Sequence, residues 1–360
     1  MRWGILGAAE IARKNWKAIR NSGNGTIVAV GSRDRKRAER FIDDCQSEAP
    51  LEARPKALGS YAELLAAPEI DAVYIPLPTG LRKEWVIRAA KAGKHIVCEK
   101  PCAVSVADLR EMLETCRDNQ VQFLDGVMFM HSRRLERVRE VLNDRTSVGE
   151  VRRITSAFSF CAPEEFYTAN IRAQSTLEPA GCLGDLGWYC LRFALWVMDG
   201  VLPERVTGRL LRASNSVPTE FSGELIFAAG VSSGFYCSFV THNEEWAKVS
   251  GTKGYLQIPD FVAPFFGSEL SFQVNKAAHK INGCDFNMEA HWKNFAVAEY
   301  SNSHPSAQET NLFRNFSAQV QSGKLNDQWP AWALKTQQMM EACLASARQS
   351  GREIQLATAR

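Results

Sequence analysis

The chain has 360 residues, of which 45% are hydrophobic and 23% are charged, and this length predicts two folded domains. Its 43 basic and 40 acidic residues leave a formal charge of +3 without runs of like charge, which argues against nucleic-acid and membrane partners. No apolar stretch reaches the roughly 18–20 residues of a membrane span, and charges interrupt the early apolar segment, so we expect a cytoplasmic protein without a secretory leader.

The ten cysteines form no Cys-x-x-Cys pair, and no histidine lies at zinc-site spacing from them. We therefore expect reduced thiols, most of them buried as small core residues. No metal site is expected.

The first 126 residues alternate strand-like and helix-like segments. Short apolar segments predict strands at Arg2–Leu6, Thr26–Gly31, Ala72–Ile75, His95–Cys98 and Gln122–Gly126. Helices are predicted between them at Glu10–Asn21, from Asp34 to about Cys45, from Ser60, at Gly80–Ala92 and from Ser105 to Asn119. Alternation at this spacing predicts a doubly wound, parallel α/β domain over residues 1–127.

From residue 128 onward, strands predominate. They are predicted at Val151–Cys161, Arg205–Leu211, Glu220–Phe227, Gly234–Val240, Ala247–Ser250, Tyr255–Ile258 and Glu269–Val274. Helical patterns occur at Leu183–Met198 and Ala333–Gln349, and in parts of Met288–Tyr300 and Gln308–Ser322. This pattern predicts a second domain, residues 128–360, of the α+β class with a mostly antiparallel sheet.

The first predicted strand runs directly into Gly7-Ala8-Ala9-Glu10-Ile11-Ala12, and a helix follows. This is a Gly-x-Gly-x-x-Gly/Ala dinucleotide-binding pattern with alanine at its second and third small positions. Small residues let a pyrophosphate approach the backbone, and the amino terminus of the helix presents free N–H groups to phosphate. We expect this turn to contact a dinucleotide; the alternative is a purely structural turn.

The end of the second predicted strand indicates which dinucleotide binds. NAD sites usually carry an acidic residue there for the ribose hydroxyl, whereas NADP sites use an arginine for the 2′-phosphate. Here Ser32 and Arg33 follow the strand, and Arg37 lies one helical turn further on. These residues favour NADP; Asp34 offers a carboxylate through which NAD would bind instead.

A further group of candidates follows the strand at His95–Cys98. Ligands of doubly wound sheets bind at the carboxyl ends of the strands, so Lys100 and its neighbour Glu99 should face the cofactor. A lysine in a partly desolvated cleft can donate to a substrate oxygen or exchange a proton with it. A surface lysine paired with Glu99 is an equally good interpretation of these two residues.

The helix predicted at Leu183–Met198 places an acid and a phenol, Asp185 and Tyr189, one turn apart. Together they would hold a substrate hydroxyl, and Tyr189 would act as acid and base if Lys100 lowered its pKa. The alternative is a helix whose tryptophans pack on a sheet or on another subunit.

Several further motifs occur in a fixed order along the chain: Ile75-Pro76-Leu77-Pro78-Thr79, Cys98-Glu99-Lys100-Pro101, Asp125-Gly126 before Met128-Phe129-Met130-His131, Gly184-Asp185-Leu186-Gly187-Trp188-Tyr189, and Gly251-Thr252-Lys253-Gly254. As an ordered set they resemble the glucose–fructose oxidoreductase / inositol dehydrogenase / rhizopine-catabolism (GFO/IDH/MocA) family. Within it the chain is most similar to the branch of dihydrodiol dehydrogenase and NADP-dependent xylose dehydrogenase.

The resemblance implies a Rossmann domain followed by an α+β domain whose large open sheet pairs subunits into a homodimer or homotetramer. It implies hydride transfer without a metal, and a cis peptide bond between Lys100 and Pro101. By resemblance the catalytic residues are Lys100, Asp185 and Tyr189. We further expect cofactor contacts at Pro76, Leu77, Pro78, Thr79, Glu99 and Lys100, and substrate contacts at His131 and at Arg172 in the loop before the helix.

The chain departs from the family pattern at Arg82, where many relatives carry histidine, and at Arg133, where proline is common. We expect Arg82 and the Arg133-Arg134 pair to lie near the substrate entrance.

The sequence therefore predicts an NAD(P)-dependent dehydrogenase, with NADP favoured, that acts on a sugar, polyol or cyclic vicinal diol. Two alternatives are a non-catalytic NADP-binding sensor or regulator, and a sugar–sugar oxidoreductase that holds NADP tightly.

Overall fold

The computed structural model describes residues 1–356. The amino-terminal third of the chain forms the first sheet. Its strands are β1 (Arg2–Leu6), β2 (Thr26–Gly31), β3 (Lys56–Leu58), β4 (Ala72–Ile75), β5 (His95–Cys98) and β6 (Phe123–Asp125). All six are parallel, and they follow the order β3-β2-β1-β4-β5-β6. This is the strand order of a Rossmann fold, and it confirms the predicted α/β class.

Helices connect these strands: α1 (Glu10–Asn21), α2 (Arg35–Glu48), α3 (Tyr61–Ala66), α4 (Thr79–Lys91) and α5 (Val106–Asp118). Three of them begin after a residue whose side chain accepts a backbone N–H of the first turn. Asp34 accepts from Lys36, Ser60 from Glu63, and Ser105 from Asp108. These caps explain why the sequence locates the helix starts to within a residue or two.

The later strands are β7 (Val151–Cys161), β8 (Arg205–Ser214), β9 (Val217–Ile226), β10 (Ser232–Ser238), β11 (Val240–Gly251), β12 (Tyr255–Ile258), β13 (Leu270–Asn275), β14 (Ala278–Asn282), β15 (Asp285–Glu289), β16 (Trp292–Val297) and β17 (Ile354–Gln355). Nine of them form a sheet in the order β16-β13-β12-β11-β7-β10-β9-β8-β17, and β14 and β15 form a separate hairpin. Only the β7–β10 pair of the nine-stranded sheet, within residues 1–356, is parallel. The predicted mostly antiparallel sheet is confirmed.

Five helices accompany the second sheet: α6 (Arg133–Asn143), α7 (Phe166–Ala169), α8 (Trp188–Val197), α9 (Gln308–Gln321) and α10 (Gln328–Arg348). A 3-10 turn at Met128–His131 precedes α6, and a π-helical turn at Leu183–Gly187 leads into α8. Every residue of α8 is buried. The helix therefore has no solvated face. It packs against neighbouring elements, as the alternative interpretation of this helix expected.

The structure differs from the predicted elements in several places. The segment Met288–Tyr300 is not helical, because Trp292–Val297 pairs with β13 and the Phe295 ring stacks on Phe272 at 4.8 Å. Strands β3, β14, β15 and β17 and helices α6 and α7 were not predicted. Strand β3 has three residues at the edge of the sheet, too few for a periodic pattern to be visible.

The carboxyl-terminal part of the chain returns to the first sheet. Phe313 and Phe316 of α9 pack on Trp3 of β1, with ring centroids 5.3 and 5.4 Å apart. The Arg314 guanidinium donates to the carbonyl oxygens of Asn21 and Ser22 at the end of α1. The regions predicted as two domains therefore share packed surfaces, and α8 lies between the two sheets. No helix of residues 1–356 has the length and apolarity needed to cross a membrane.

Candidate active site

The turn after β1 has the geometry that a pyrophosphate site needs. Gly7 has φ +126°, a conformation that favours glycine, and a Cβ atom there would lie 3.0 Å from Leu77 Cδ2. Helix α1 begins at Glu10, and the residue before it, Ala9, has no side-chain group that could accept from the first turn. The first N–H groups of α1 and the positive end of its dipole therefore face the cleft.

The residues that follow β2 favour a 2′-phosphate over a free ribose. Asp34 is already engaged, because its carboxylate accepts the Lys36 N–H at 3.0 Å and begins α2. Arg33 and Arg37 are exposed, and the Arg37 guanidinium donates to the carbonyl oxygen of Ala8 at 3.2 Å. Two arginines beside the buried Ser32 offer positive charge and donors to a phosphate group.

The loop Pro76–Thr79 is fastened to a segment of the second region. Thr79, the first residue of α4, donates its backbone N–H and its hydroxyl to the two carboxylate oxygens of Glu178, at 3.0 and 2.6 Å. The next N–H, of Gly80, donates to the Leu177 carbonyl oxygen at 2.9 Å. Glu178 therefore caps α4 and ties the segment before α8 to the cofactor domain. No sequence motif marks Glu178, and it was not predicted.

Lys100, Asp185 and Tyr189 come together at the carboxyl end of β5. The Lys100 ammonium donates to the Asp185 carboxylate and to its backbone carbonyl, both at 2.7 Å, and lies 4.7 Å from the centre of the Tyr189 ring. The Arg172 guanidinium pairs with the second carboxylate oxygen of Asp185 at 2.9 Å. The Lys100–Pro101 peptide bond is cis, as expected. Asp185 thus binds two cations and fixes both around one point of the cleft.

The titration of these groups differs from the sequence expectation. Burial raises the pKa of Tyr189 to about 12, and the charge of Lys100, which lowers this pKa, offsets only part of the rise. Burial alone would lower the pKa of Lys100, but Asp185 and Tyr189 together hold it above its ordinary value. Burial likewise opposes ionisation of Asp185, and the charges of Lys100 and Arg172 keep its pKa below the usual range. The resting site therefore contains an ammonium, a carboxylate and a neutral phenol.

These groups line a cavity of about 680 Å³. Ten of the site residues predicted from the sequence line this cavity: Ala9, Glu10, Ile11, Pro76, Leu77, Glu99, Lys100, Arg172, Asp185 and Tyr189. The structure adds residues that the sequence did not identify, among them Phe158 and Phe160 on β7 and Asn170 before Arg172. Phe158 and Phe160 alternate along β7, and that period of two was the available signal that both face the same way.

Glu99 is held by a buried chain of hydrogen bonds. The Tyr74 hydroxyl donates to a Glu99 carboxylate oxygen at 2.6 Å, and the Asn15 amide donates to the same hydroxyl at 2.6 Å. A Cβ atom at position 126 would lie 3.1 Å from the Glu99 carboxylate, so Gly126 leaves room for this carboxylate. This series of hydrogen bonds runs from α1 through β4 to the cavity and fixes the orientation of the Glu99 carboxylate.

His131 lies outside this cavity, contrary to the sequence expectation. Its ring is bonded to the Asn315 amide at 3.2 Å and lines a second cavity, because the 3-10 turn at Met128–His131 directs Met128 and His131 to different sides. We therefore do not assign His131 to the substrate. Arg82 lines the active cavity as expected, whereas Arg134 is buried and pairs with Asp260 away from it.

A Rossmann sheet, a phosphate-binding turn and a buried lysine–acid–phenol cluster together define a two-domain oxidoreductase that uses a nicotinamide dinucleotide. A family model described as the oxidoreductase family with an NAD-binding Rossmann fold matches residues 1–127, and a GFO/IDH/MocA C-terminal domain model matches residues 135–257. The chain belongs to the GFO/IDH/MocA oxidoreductase family. The predicted family and the predicted oxidoreductase class are confirmed.

Two curated relatives are similar over most of the chain. The mouse trans-1,2-dihydrobenzene-1,2-diol dehydrogenase is 32% identical over 73% of this chain and 76% of its own length. A D-xylose 1-dehydrogenase (NADP(+)) from Haloferax volcanii is 32% identical over 76% of this chain and 81% of its own length.

Solved structures share the fold. A 3-ketoreductase from Actinomadura kijaniata, in complex with NADP and TDP-benzene, superposes with a TM-score of 0.81 at 23% identity, over 96% of this chain and 97% of that one. An aldose–aldose oxidoreductase from Caulobacter crescentus, complexed with glycerol, superposes with a TM-score of 0.79 at 20% identity, over 99% of each chain.

Proposed function

We propose that this protein is an NADP-dependent dehydrogenase that moves a hydride between the nicotinamide and a hydroxyl-bearing carbon of a sugar or cyclic vicinal diol. The observation that supports it best is the cluster of Lys100, Asp185 and Tyr189 in a cavity that also reaches the turn at Ala9–Ile11. An acid–base cluster and a dinucleotide turn in one cavity are the two parts that such a reaction needs.

The residues present fit NADP. The conformation of Gly7 and the open first turn of α1 suit the pyrophosphate, and Arg33 and Arg37 suit the 2′-phosphate. Glu99 and the Pro76–Thr79 loop would hold the nicotinamide half. Bound NADP supplies a hydride acceptor at carbon 4 of its nicotinamide ring, and its reduced form returns the hydride. The NADP dependence printed for the xylose dehydrogenase relative agrees with this choice.

The protein's own residues manage the substrate oxygen and its proton. The ammonium of Lys100 binds the oxygen, and Asp185 holds Lys100 in place by a 2.7 Å bond. During reduction of a carbonyl group, the neutral Tyr189 phenol donates the proton that converts the oxygen to a hydroxyl. During oxidation the hydroxyl proton passes to the phenolate form of Tyr189, which the adjacent Lys100 charge stabilises.

The lining of the cavity suits a polyhydroxylated ring. Arg172, Asn170 and Asp185 contribute donors and acceptors to the lining, and Phe158 and Phe160 contribute apolar surface. A sugar or diol ring presents both kinds of surface. The names of the two curated relatives, a dihydrodiol dehydrogenase and a xylose dehydrogenase, indicate the same substrate classes.

The test is absorbance of reduced nicotinamide while the protein receives NADP⁺ or NAD⁺ with a panel of aldoses, inositols and trans-diols. We expect reduction of NADP⁺ by at least one member, with NAD⁺ used poorly, and loss of that rate in Lys100→Met. NADP⁺ binding without reduction by any panel member would support the sensor alternative. Nucleotide that is released only on denaturation would support the sugar–sugar alternative.

We also propose that the protein forms a homodimer or homotetramer through the second sheet. One face of that sheet packs on α8 and α10, while Thr155, Tyr236 and Trp246 line an open groove on the sheet. An open sheet face of this kind is a surface that a second copy can cover. Size-exclusion chromatography with light scattering gives the subunit number, and a monomer at micromolar concentration would contradict the proposal.

A cytoplasmic location is the last part of the proposal. Eight of the ten cysteines are buried, and all ten, which lie within residues 1–356, are unpaired. Unpaired thiols are typical of a reducing compartment. Fractionation of cells that produce the protein tests this, and recovery from an oxidising compartment would contradict it.

A further inference from the structure

A second cavity, of about 610 Å³, lies on the other side of the Met128–His131 turn. It shares no lining residue with the active cavity, within the part of the chain that the structure describes. Met128 lines the active cavity, whereas Met130 and His131 line the second one. Its size falls within the range of roughly 300–1,000 Å³ that is usual for small-molecule sites.

Three indole rings, those of Trp196, Trp329 and Trp332, line this cavity. They are held by packing: Trp329 stacks on Phe316 at 6.1 Å, and the Arg139 guanidinium lies 4.2 Å from the Trp196 ring. Trp332 is partly buried against the hydrophobic core. Fixed indole faces bind the apolar face of a ring without a large loss of side-chain entropy.

A buried ion pair belongs to the same cavity. Arg192 donates to Asp125 at 2.7 Å, and both side chains are at most 3% exposed. The pair has further partners, because Trp188 donates to Asp125 and Arg192 donates to Thr336. Its charges therefore cancel within the protein, and the pair supplies a rigid, polar, neutral wall.

The remaining charged groups of the lining also cancel. Arg139 pairs with Asp199 at 2.9 Å. Burial and the charge of Arg192 lower the pKa of His131 to about 4, so the imidazole is neutral at physiological pH. A cavity whose two arginines face two aspartates gives no net attraction to a phosphate or carboxylate ligand.

Uncharged hydrogen-bonding groups complete the lining: the amides of Asn315, Gln319 and Gln328, and the His131 imidazole. The Asn315 amide contacts His131 Nδ1 at 3.2 Å, which leaves Nε2 as the ring nitrogen for a ligand. Several amides beside aromatic faces match a ligand that has many hydroxyl groups and one apolar face.

We propose that this second cavity binds a neutral sugar, stacked on the indoles of Trp329 and Trp332 and hydrogen-bonded to the amides and His131. The site goes beyond the proposed hydride transfer and does not depend on it. A purely apolar ligand would leave the amides without water or partner, and an anion would gain nothing from the balanced charges.

The experiment measures sugar binding without turnover. The NADP⁺-saturated Lys100→Met protein is titrated with methyl β-D-glucopyranoside and with cellobiose, and binding is followed by saturation-transfer NMR and tryptophan fluorescence. We expect saturable binding of at least one probe, weaker binding of glucose 6-phosphate, and at least about tenfold weaker binding of the neutral probe after Trp332→Ala.

Two further variants keep the result interpretable. Asn315→Ala removes an exposed amide that contacts His131, and it should also weaken binding while leaving the thermal unfolding temperature unchanged. Trp292→Ala removes an indole that is 47% exposed on β16, outside the cavity, and should not affect binding. Absence of saturable binding overturns the proposal. Binding that is insensitive to both Trp332→Ala and Asn315→Ala also overturns it, whatever the outcome of the activity assay.

Discussion

Asp185 determines the charge state of the active cavity, because its carboxylate binds both Lys100 and Arg172. The side chains of Lys100 and Asp185 are only 9% and 16% exposed, so water screens their interaction weakly. Arg172 was expected to contact the substrate directly. In the structure its side chain is 44% exposed and lines the cavity, so donors that Asp185 does not engage stay available to a substrate.

The first prediction concerns the groups that bind the substrate oxygen. Lys100→Met and Tyr189→Phe should each lower kcat by about 10²–10⁴, the usual size of a lost acid–base contribution. The dissociation constant of NADPH should change little, because neither change removes a phosphate contact. Steady-state rates and NADPH fluorescence titration measure the two quantities. Unchanged turnover in both variants would rule out the proposed proton transfer.

The second prediction concerns pH. Because burial holds the pKa of Tyr189 at about 12, the phenolate needed for oxidation is scarce at neutral pH and becomes more populated as pH rises. Oxidation should therefore accelerate with pH, by up to about tenfold per unit. Reduction uses the neutral phenol and should stay flat over the same range. Initial rates in both directions from pH 6 to pH 10 test this, and oxidation that slows with increasing pH would contradict it.

The third prediction concerns the buried support of Glu99. Tyr74→Phe removes the hydroxyl that donates to Glu99 and accepts from Asn15, and a hydrogen bond to a charged group contributes about 1.5–3 kcal/mol. The free energy of unfolding should fall by an amount of that order, and the KM for NADP⁺ should rise because Glu99 is no longer oriented. The control is Tyr300→Phe at a half-exposed position, which should alter neither quantity. A wild-type KM for NADP⁺ in Tyr74→Phe would show that this hydrogen bond does not orient Glu99 for the cofactor.

At the scale of elements, the segment between α7 and α8 connects the Pro76–Thr79 loop to the cluster of Lys100, Asp185 and Tyr189, the proposed catalytic residues. Its Glu178 binds the first turn of α4, and the neighbouring residues on either side include Arg172 and Asp185. A substitution in this segment should therefore alter both the start of α4 and the positions of Arg172 and Asp185.

The fourth prediction tests that connection. Glu178→Ala removes the acceptor for the Thr79 N–H and hydroxyl, and loss of a helix cap typically costs about 0.5–2 kcal/mol. We expect a lower free energy of unfolding and a several-fold higher KM for the substrate. The matched control is Glu165→Ala, an exposed position of the same region. A KM that rises equally in both variants would show that the Glu178–Thr79 contact is not the cause.

Local signals made the strands of the first sheet other than β3 predictable. Apolar strands such as Thr26–Gly31 and capping residues such as Ser60 act within a few residues, and the structure has the elements where these signals place them. Strand β16 was predicted as partly helical because its strand character depends on pairing with β13 and on the stacking of Phe295 on Phe272. That pairing joins residues far apart in the chain, and no local pattern encodes it.

The same distinction applies to the site. The sequence identified Lys100, Asp185 and Tyr189 because they lie in motifs, and the structure brings them together. It misplaced His131, because a single turn of 3-10 helix decides which cavity each of its residues faces. Glu178 could not be found, since its role depends on the position of α4 in space.

At the scale of the whole molecule, the proposed catalytic cleft lies where the carboxyl ends of the first sheet meet the segment before α8 and strand β7 of the second sheet. Tyr189 and Arg192 lie on the same buried helix, one lining the active cavity and the other lining the second cavity. The open groove on the second sheet lies on a surface that neither cavity uses. The proposed hydride transfer, the proposed sugar site and the proposed subunit contact therefore use separate surfaces of the molecule.

Transfer of deuterium from the substrate to the cofactor tests the proposed hydride transfer most directly. The panel member that reduces NADP⁺ is prepared with deuterium on the carbon that bears the reacting hydroxyl, and the reduced cofactor is isolated and analysed by mass spectrometry. Direct delivery from carbon to the nicotinamide ring predicts one deuterium in each NADPH formed. NADPH that carries only solvent hydrogen would contradict the account, because the hydrogen would then have left the substrate as a proton.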